Sequence, residues 1–579
     1  MTAAERTVFR PGGDRLVVYR VRGFAAPLDD YVLIALRSLR EHAAHILVLV
    51  GEEPEPSDRE RLAEVCDEIL VDPAEDAALS AWLEAREHDG SRFDEVVLTD
   101  DSWFGPVAAL GSVLERMDQV ATDAWTMTPA GRTDGGAWIS VRRPRSEAGA
   151  WDRLLGEARR HAVAGTQIDS AEIVVDCAFP GSAGVEDPVL VESARLLAAG
   201  CPLLARRVFT TAPPVLERHA VIGRALLAAA ADNGYPPGAI LQNLARTVAP
   251  NRLNASLSLL EIPSRRSGAH APAFESVVLA HFAHGTDPAE LARRIGLIPG
   301  DCRVVATVGT AEDERIIRPL LADARGVGAG DIEVRRVPPA ADPASATFVG
   351  CRDILLDGRQ DIVINLHSGP FPGTTVNARR YLRRHTWENL LGSREHAERV
   401  LGLFRDPGLG FVLPPTPHIG VDTLGSGWAG GRGDAERIAR LLGIRVPLGE
   451  APLAPVGGMW IGRTAALRVL AGHEWSWRDY LPASGWGSLA RTQEALLAHA
   501  AGTSGFHTRT VLTAEHAAIS HAPLEYKIDQ LASTTPGFPA DKIALLHRLG
   551  AVGDGRARDF LRMNRRARRA SAQGGLRDD

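Results

Sequence analysis

Short runs of β-branched and aliphatic residues recur through the first 145 residues, separated by amphipathic stretches, and the same rhythm restarts near residue 275. The first series is LVVYRV from Leu16, HILVLV from His45, EILV from Glu68, DEVVLT from Asp94 and AWISV from Ala137. Runs of this kind, spaced by helix-length segments, build a parallel sheet covered by helices, here in the order βαβαβαβ. Between the first two runs, Asp29 and Asp30 are placed to cap a helix whose apolar face is Tyr31, Ile34, Ala35 and Leu39.

The second series begins with ESVVLAHF and continues with CRVVATV from Cys302, DIEVRRV from Asp331, DIVINLH from Asp361 and GFVLPP from Gly410. Between the two lies alanine- and leucine-rich helical sequence, from about Asp187 to Pro263, closed by the breaker-rich IPSRRSGAHAPAF. A chain of 579 residues exceeds what one hydrophobic core serves, so two cores are expected. The division predicted is 1–185 and 266–522 as α/β domains, 186–265 as helical connector and 523–579 as C-terminal helices with a basic tail.

The halves echo each other. FDEVVLTDDSWFGP and RQDIVINLHSGPFPG each end an acid-led strand in a polar cluster, then Ser102 or Ser368, then Gly and Pro; an internal duplication is the preferred explanation, although two unrelated parallel sheets would share much of this pattern. A net charge of -7 gives no global attraction to nucleic acid. Cys66, Cys177, Cys201, Cys302 and Cys351 have no metal or redox spacing and read as reduced buried thiols. The amino-terminal segment has no apolar signal region, and no stretch is long enough to span a membrane, so a cytoplasmic protein is expected. Arginines from Arg556 to Arg569 can dock on an anionic inner leaflet or form a solvated tail.

Ligands of open parallel sheets bind beyond the carboxyl ends of the strands. In LTDDSWFGP, Asp100 and Asp101 can hold Mg or Mn against a diphosphate, Ser102 can add a hydrogen bond, and Trp103 with Phe104 can offer a flat face to a sugar or base. The plainer alternative is that Asp100 caps the next helix and Trp103 packs in the core. In INLHSGPFPG, Asn365, His367 and Ser368 can hydrogen-bond a phosphate or hydroxyl, and His367 can serve as a base, although a histidine after a strand is often structural. Downstream, PPTPHIG contributes His418, and VGGMWIG contributes Gly457, Gly458 and Trp460, either as a close approach to ligand or as a tight turn. Gly425, Gly427 and Gly430 spell a dinucleotide fingerprint, but the preceding residues read as loop rather than strand. Walker A, HExxH and G-x-S-x-G motifs are absent.

Taken in order, DEVVLTDDSWFGP, NGYPPGAILQNLARTVAPNRL with Asn243 and Asn251, DIVINLHSG, Trp387 with LLGS, GFVLPPTPHIG and GGMWIGRTAAL resemble the rhamnan synthesis F family, from about Leu16 to Leu531. The resemblance implies an α/β chain of two tandem glycosyltransferase-like (GT-A/Rossmann-like) parallel-sheet domains joined by a helical connector. It implies transfer of L-rhamnose from dTDP-rhamnose, a nucleotide-sugar donor, to a lipid-linked surface-polysaccharide acceptor. Asp101 and His367 are then the candidate catalytic groups; Asp100, Asp101, Ser102, Trp103, Asn365, His367, Ser368, His418, Gly457, Gly458 and Trp460 are the candidate donor contacts; and Asp100 and Asp101 are the candidate metal ligands. The family's usual glycine-rich segment after the third strand is VDPAEDAALSAWLEA here, keeping Asp76 and Trp82, and its arginine-rich counterpart in the second half is VPPAADPASATF, keeping Asp342. Losing glycine and arginine removes close backbone approach and bidentate anion contacts. A non-catalytic glycan- or lipid-binding scaffold of the same pathway is therefore the competing expectation.

Overall fold

The computed structural model describes residues 8–10, 12–22, 27–72, 77–88, 93–129, 138–143, 155–156, 158, 174–264, 274–419, 427–482, 488–533, 537–539 and 541–543. Asp76, Gly425 and the basic segment Arg556 to Arg569 lie outside them. The chain divides into two compact units, Met1–Asn243 and Leu244–Asp579, with the division falling inside the helix Pro237–Thr247.

The first unit holds β1 (Arg15–Val21), β2 (His45–Val50), β3 (Glu68–Val71), β4 (Glu95–Asp100), β5 (Trp103–Phe104), β6 (Ala124–Thr126), β7 (Trp138–Arg142), β8 (Val175–Cys177) and β9 (Leu204–Ala205). Seven of them form one sheet in the order β3-β2-β1-β4-β7-β6-β8, and β5 pairs with β9. The second unit holds β10 (Leu260–Glu261), β11 (Ser276–Phe282), β12 (Arg303–Val308), β13 (Glu333–Arg336), β14 (Ile362–His367), β15 (Leu409–Leu413), β16 (Trp460–Arg463) and β17 (His507–Val511). They form one sheet in the order β10-β17-β15-β16-β14-β11-β12-β13.

Both sheets are mixed rather than parallel throughout. β3, β2, β1 and β4 run parallel, and β7 lies antiparallel to β4; likewise β13, β12, β11 and β14 run parallel, and β16 lies antiparallel to β14. AWISV and MWIGR are apolar on both faces, as buried strands are whichever way they run, so their pattern does not encode direction. The two sheets share this order and even a register mark: Thr99 faces Trp138 across β4 and β7, and Asn365 faces Trp460 across β14 and β16. Each tryptophan closes a GG-x-W sequence, at Gly135 to Trp138 and at Gly457 to Trp460.

Alternation along the strands sorts side chains by face. Leu16 and Val18 of β1, Leu47 and Leu49 of β2, and Val96 and Leu98 of β4 share one apolar cluster of the first unit. In the second unit, Val278, Ala280, Val304, Ala306, Ile362 and Ile364 cover one face of the sheet, and Val277, Leu279, Val305 and Val363 the other. Each fully buried aliphatic side chain contributes roughly 1.5–3 kcal/mol, so both faces are held firmly. The helix Asp30–Arg40 does form, but Asp29 does not cap it; the carboxylate instead accepts from Asn243 Nδ2 at 2.6 Å. Its buried residues are Tyr31, Val32, Leu33, Ala35, Leu36 and Leu39, with Ile34 half-buried.

At the start of β1 and β4, away from the ligand-binding ends, Glu95 is buried between two arginines. Its carboxylate meets Arg15 Nε at 2.5 Å and Arg142 Nε at 3.2 Å, and Trp125 Nε1 donates to it at 3.1 Å. Burial alone would raise this carboxyl, but the two guanidinium groups outweigh it and hold the pKa below its usual value. No described helix is long and apolar enough to cross a membrane. None of the five cysteines is in a disulfide; Cys201, Cys302 and Cys351 are buried and Cys66 and Cys177 half-buried.

Candidate active site at the strand ends

In both sheets the chain steps outward through three parallel strands and then returns beside the first, which opens a switch point between β1 and β4 and between β11 and β14. Crevices of open α/β sheets lie outside the carboxyl ends of such strand pairs. In the second unit, the face carrying Val277, Leu279, Val305 and Val363 stays apolar until this end and then turns polar. The next positions on that face are His281 on β11, Thr307 on β12, and Asn365 followed by His367 on β14, all buried.

Buried polar groups need partners, and most of these are satisfied. Thr347 Oγ1 donates to Asn365 Oδ1 at 2.7 Å, and Asn365 Nδ2 donates to the Gly458 carbonyl at 2.9 Å. His281 Nδ1 meets Thr307 Oγ1 at 3.0 Å. His367 Nε2 bonds the Gly457 carbonyl, so this nitrogen carries the proton and Nδ1 the lone pair; Nδ1 has no hydrogen-bond partner among the described residues. Gly457 and Gly458 take φ of +93° and +78°, a conformation that favours glycine. A Cβ on Gly458 would stand 2.6 Å from Glu494 Oε1 and 3.6 Å from His367 Nε2, and one on Gly457 would stand 2.7 Å from the Phe371 ring. The missing side chains are what let the helix Leu489–Thr503 bring Glu494 up to the end of β14.

Burial lowers His367 to about 4 despite the Gly457 carbonyl, and the Arg383 charge adds to the effect. His281 falls to about 4 through burial and the neighbouring His367. Both rings are neutral at physiological pH, and His367 binds a proton too weakly for the near-neutral base expected of it. Glu494 behaves oppositely: half-buried and facing the Asp342 carboxylate, it is pushed up to about 8, with Arg491 pulling the other way. Asp342 is held in place by accepting from the Ala344 and Ser345 amides at the start of the helix Pro343–Phe348.

The structure thus groups Asn365, His367, Gly457 and Gly458 but separates the other second-half candidates. Ser368 Oγ accepts from the Ala283 amide at 3.0 Å and meets Thr286 Oγ1, bracing the loop after β11. Trp460 is a core residue, edge-on to Phe411 at 5.3 Å, because its side chain lies on the apolar face; it offers no ring to a ligand. His418 pairs with Lys527 Nζ at 3.1 Å in an exposed contact.

In the first unit the corresponding strand end is filled. Trp103 is completely buried, donates to Thr99 Oγ1 at 3.0 Å and stands edge-on to Tyr19; Phe104 packs on Tyr31 and Phe209. No flat face remains for a sugar, because both rings are core. Asp100 Oδ1 accepts from the Ser102 amide, rather than capping a helix, and Oδ2 pairs with Arg22 Nη2 at 2.7 Å. Asp101 Oδ2 lies 4.0 Å from Arg206 Nη1, its carbonyl accepts from Tyr31 and Arg206, and burial with the Asp100 charge raises its pKa against the pull of Arg206. This donor set does not fit a divalent cation. Both Asp100 oxygens are engaged, Asp101 lies beside the Arg206 guanidinium, and among the described residues no third acidic, histidine or cysteine group joins them.

Glu494, His281 and Asp342 complete the second-unit cluster, and motif reading passed over the first two. Glu494 is a single acid in the apolar run EALLAHAAG, and His281 the one polar interruption of VVLAHF; each is a weak signal that becomes meaningful only when the sheet order is known.

The fold and this site define an α/β protein with two switch-point sheets and one polar strand-end cluster. The rhamnan synthesis protein F family model matches residues 171–496, more than half of the chain, and the chain belongs to that family. No curated protein matches the sequence. Among solved structures, glycosyltransferase GlyE of Streptococcus pneumoniae TIGR4 is similar at 11% identity and a TM-score of 0.22, covering 64% of this chain and 89% of that one. Its apo-form gives 10% and 0.19 over the same shares. A cytidylyltransferase from Leptospira borgpetersenii serovar Hardjo-bovis gives 12% and 0.21, covering 29% of this chain and 77% of that one. Likenesses this distant bear on neither substrate nor mechanism.

Proposed function

We propose that this protein is a glycosyltransferase of surface-polysaccharide synthesis, moving L-rhamnose from dTDP-rhamnose onto a lipid-linked glycan at the inner membrane face. Family membership supports the pathway, and the observation that supports transfer chemistry is the polar end of a single sheet face, where His281, Asn365, His367 and Glu494 meet glycine backbone. Asn365 and the Gly457–Gly458 turn would position donor or acceptor oxygens, and the neutral imidazoles would offer hydrogen bonds without charge. A step through Mg or Mn at Asp100 and Asp101 is not part of this reading.

A non-catalytic scaffold has one observation in its favour, the plugging of the first unit's strand ends by Trp103 and Tyr19. A thermal-shift screen of purified protein against dTDP-rhamnose, UDP-sugars and GDP-sugars, with and without magnesium, separates the two. A ligand at about a hundred times its dissociation constant adds roughly 2.7 kcal/mol. The transferase reading expects a selective shift with a nucleotide sugar, followed by release of its nucleotide on adding acceptor. A cooperatively melting protein indifferent to every nucleotide would support the scaffold.

A further inference from the structure

The second-unit cluster contains one acid that packs against the Gly458 backbone without a polar partner among the described residues. Glu494 forms no salt bridge and accepts no hydrogen bond among the described residues, although most neighbouring polar groups are paired. The helix Leu489–Thr503 otherwise buries Leu489, Leu496, Leu497, Ala498, Ala500 and Ala501, so an aliphatic residue would suit this environment better than a carboxyl. The left-handed Gly458 has no side chain where Glu494 Oε1 sits, 2.6 Å from the position a Cβ would take, and His367 Nε2 lies 3.6 Å from that same position, which brings the acid and the imidazole together. Both groups lie at the carboxyl end of β14 beside the switch point, the end beyond which ligands of open α/β sheets bind.

We infer that Glu494 is the base that takes the proton from the acceptor hydroxyl during sugar transfer, with Asp342 and His367 as positioning residues. The inference rests on the glycosyltransferase reading and adds the residue that carries the proton. In the step, the acceptor O–H bond breaks and its proton passes to Glu494 Oε1 as the acceptor oxygen forms a bond to the anomeric carbon. The bond from that carbon to the donor's diphosphate oxygen breaks in concert, and the nucleoside diphosphate leaves with the electron pair. The charged groups facing Glu494 are Asp342, from the turn before the helix Pro343–Phe348, and Arg491, one turn earlier on its own helix; His367 is the titratable group facing it from the sheet. Burial first, and then the Asp342 charge, make the carboxylate a stronger base than an ordinary one, as proton abstraction requires.

The test measures release of dTDP from dTDP-rhamnose by the full-length protein, with lipid-linked acceptor, from pH 5.5 to 9.5. Wild-type kcat is expected to rise with pH, with the midpoint of the limb near 8 and the plateau about one unit above it. Glu494→Gln should lower kcat about a hundredfold or more and remove that limb, while the thermal shift by dTDP-rhamnose persists, showing a folded, donor-binding protein. Asp342→Asn keeps an amide-capping side chain but removes the facing charge, and should move the limb to lower pH, which a merely structural role would not do. Turnover within about threefold of wild type in Glu494→Gln, or an unmoved limb in Asp342→Asn, overturns the assignment of Glu494 and leaves the transferase reading standing. A wild-type protein that releases no nucleotide at any pH overturns both.

Discussion

The two sheets share strand order and even the residue facing each tryptophan, yet their carboxyl ends have gone opposite ways. In the first unit, Tyr19, Trp103 and Phe104 fill the space and Asp100 and Asp101 are tied to arginines. In the second, the same face ends in imidazoles, an amide and an unpaired acid beside bare glycine backbone. One topology can therefore carry either a plug or a site; the difference lies in a few side chains beyond the last apolar layer, where the sheet no longer needs them for stability.

Acid should separate the units most strongly. His281, His367, His385 and His499 of the second unit are all lowered by burial to about 4. A histidine whose folded pKa lies below its unfolded value of about 6.5 contributes stability that is complete above that pH and lost as pH falls toward 4. Each should cost about 2 kcal/mol at pH 5. Glu494 opposes them, since a raised carboxyl favours the folded state as pH falls from about 8, and it offsets part of the loss. The first unit has only the partly buried His42 and His45 lowered among its described histidines. Labelling of buried Cys201 and Cys351 in increasing urea, with an acid-tolerant disulfide reagent, should show the Cys351 midpoint falling further between pH 7.5 and 5. Equal falls would erase the contrast.

Glu95→Gln should do the reverse, weakening the first unit by about 3 kcal/mol because Arg15 and Arg142 lose their buried counter-charge and keep only the more exposed Asp118. In the same assay only Cys201 should be released early. Because the Glu95 pKa is depressed, its contribution is present above about pH 4 and lost only as pH falls through the folded value, so the wild-type first unit should pass through pH 5 with this cluster intact.

Gly458→Ala probes the second unit's open backbone. Its φ of +78° disfavours alanine by about 1 kcal/mol, and the new Cβ meets Glu494 Oε1. A fall in the melting temperature of a few degrees, with a much larger loss of nucleotide release, is expected. Asp100→Asn is the mildest change. Its pair with Arg22 is partly exposed, so a urea titration should register less than about 1 kcal/mol, and nucleotide release in the second unit should be unchanged. A collapse of turnover would return chemistry to the first unit.

The strands were legible because runs such as HILVLV and DIVINLH leave no helical reading, whereas their order in the sheet, with its switch point, appears only in the fold. The direction of β7 and β16 was not, since side-chain alternation is the same either way along a strand. Two-residue strands such as β5 and β9 exist only through their partner. Asp29 looked like a cap until Asn243, distant in sequence, claimed its carboxylate. His367 could be suspected because it follows a strand; Glu494 could not, because what distinguishes it is a glycine 36 residues earlier whose missing side chain it occupies.

The reversal of β16 has a further result for how such a protein can diversify. A strand running with its neighbours presents its outgoing loop at the crevice, whereas a reversed strand presents its incoming one. The floor of the second-unit site is thus supplied by chain that has not yet entered the sheet. Between β15 and β16 the helix Arg432–Leu441 buries Ala435 and Ile438 in the core, so its exposed face is what can change composition without disturbing the core or a ladder hydrogen bond, while Gly457 and Gly458 keep the geometry of the crevice.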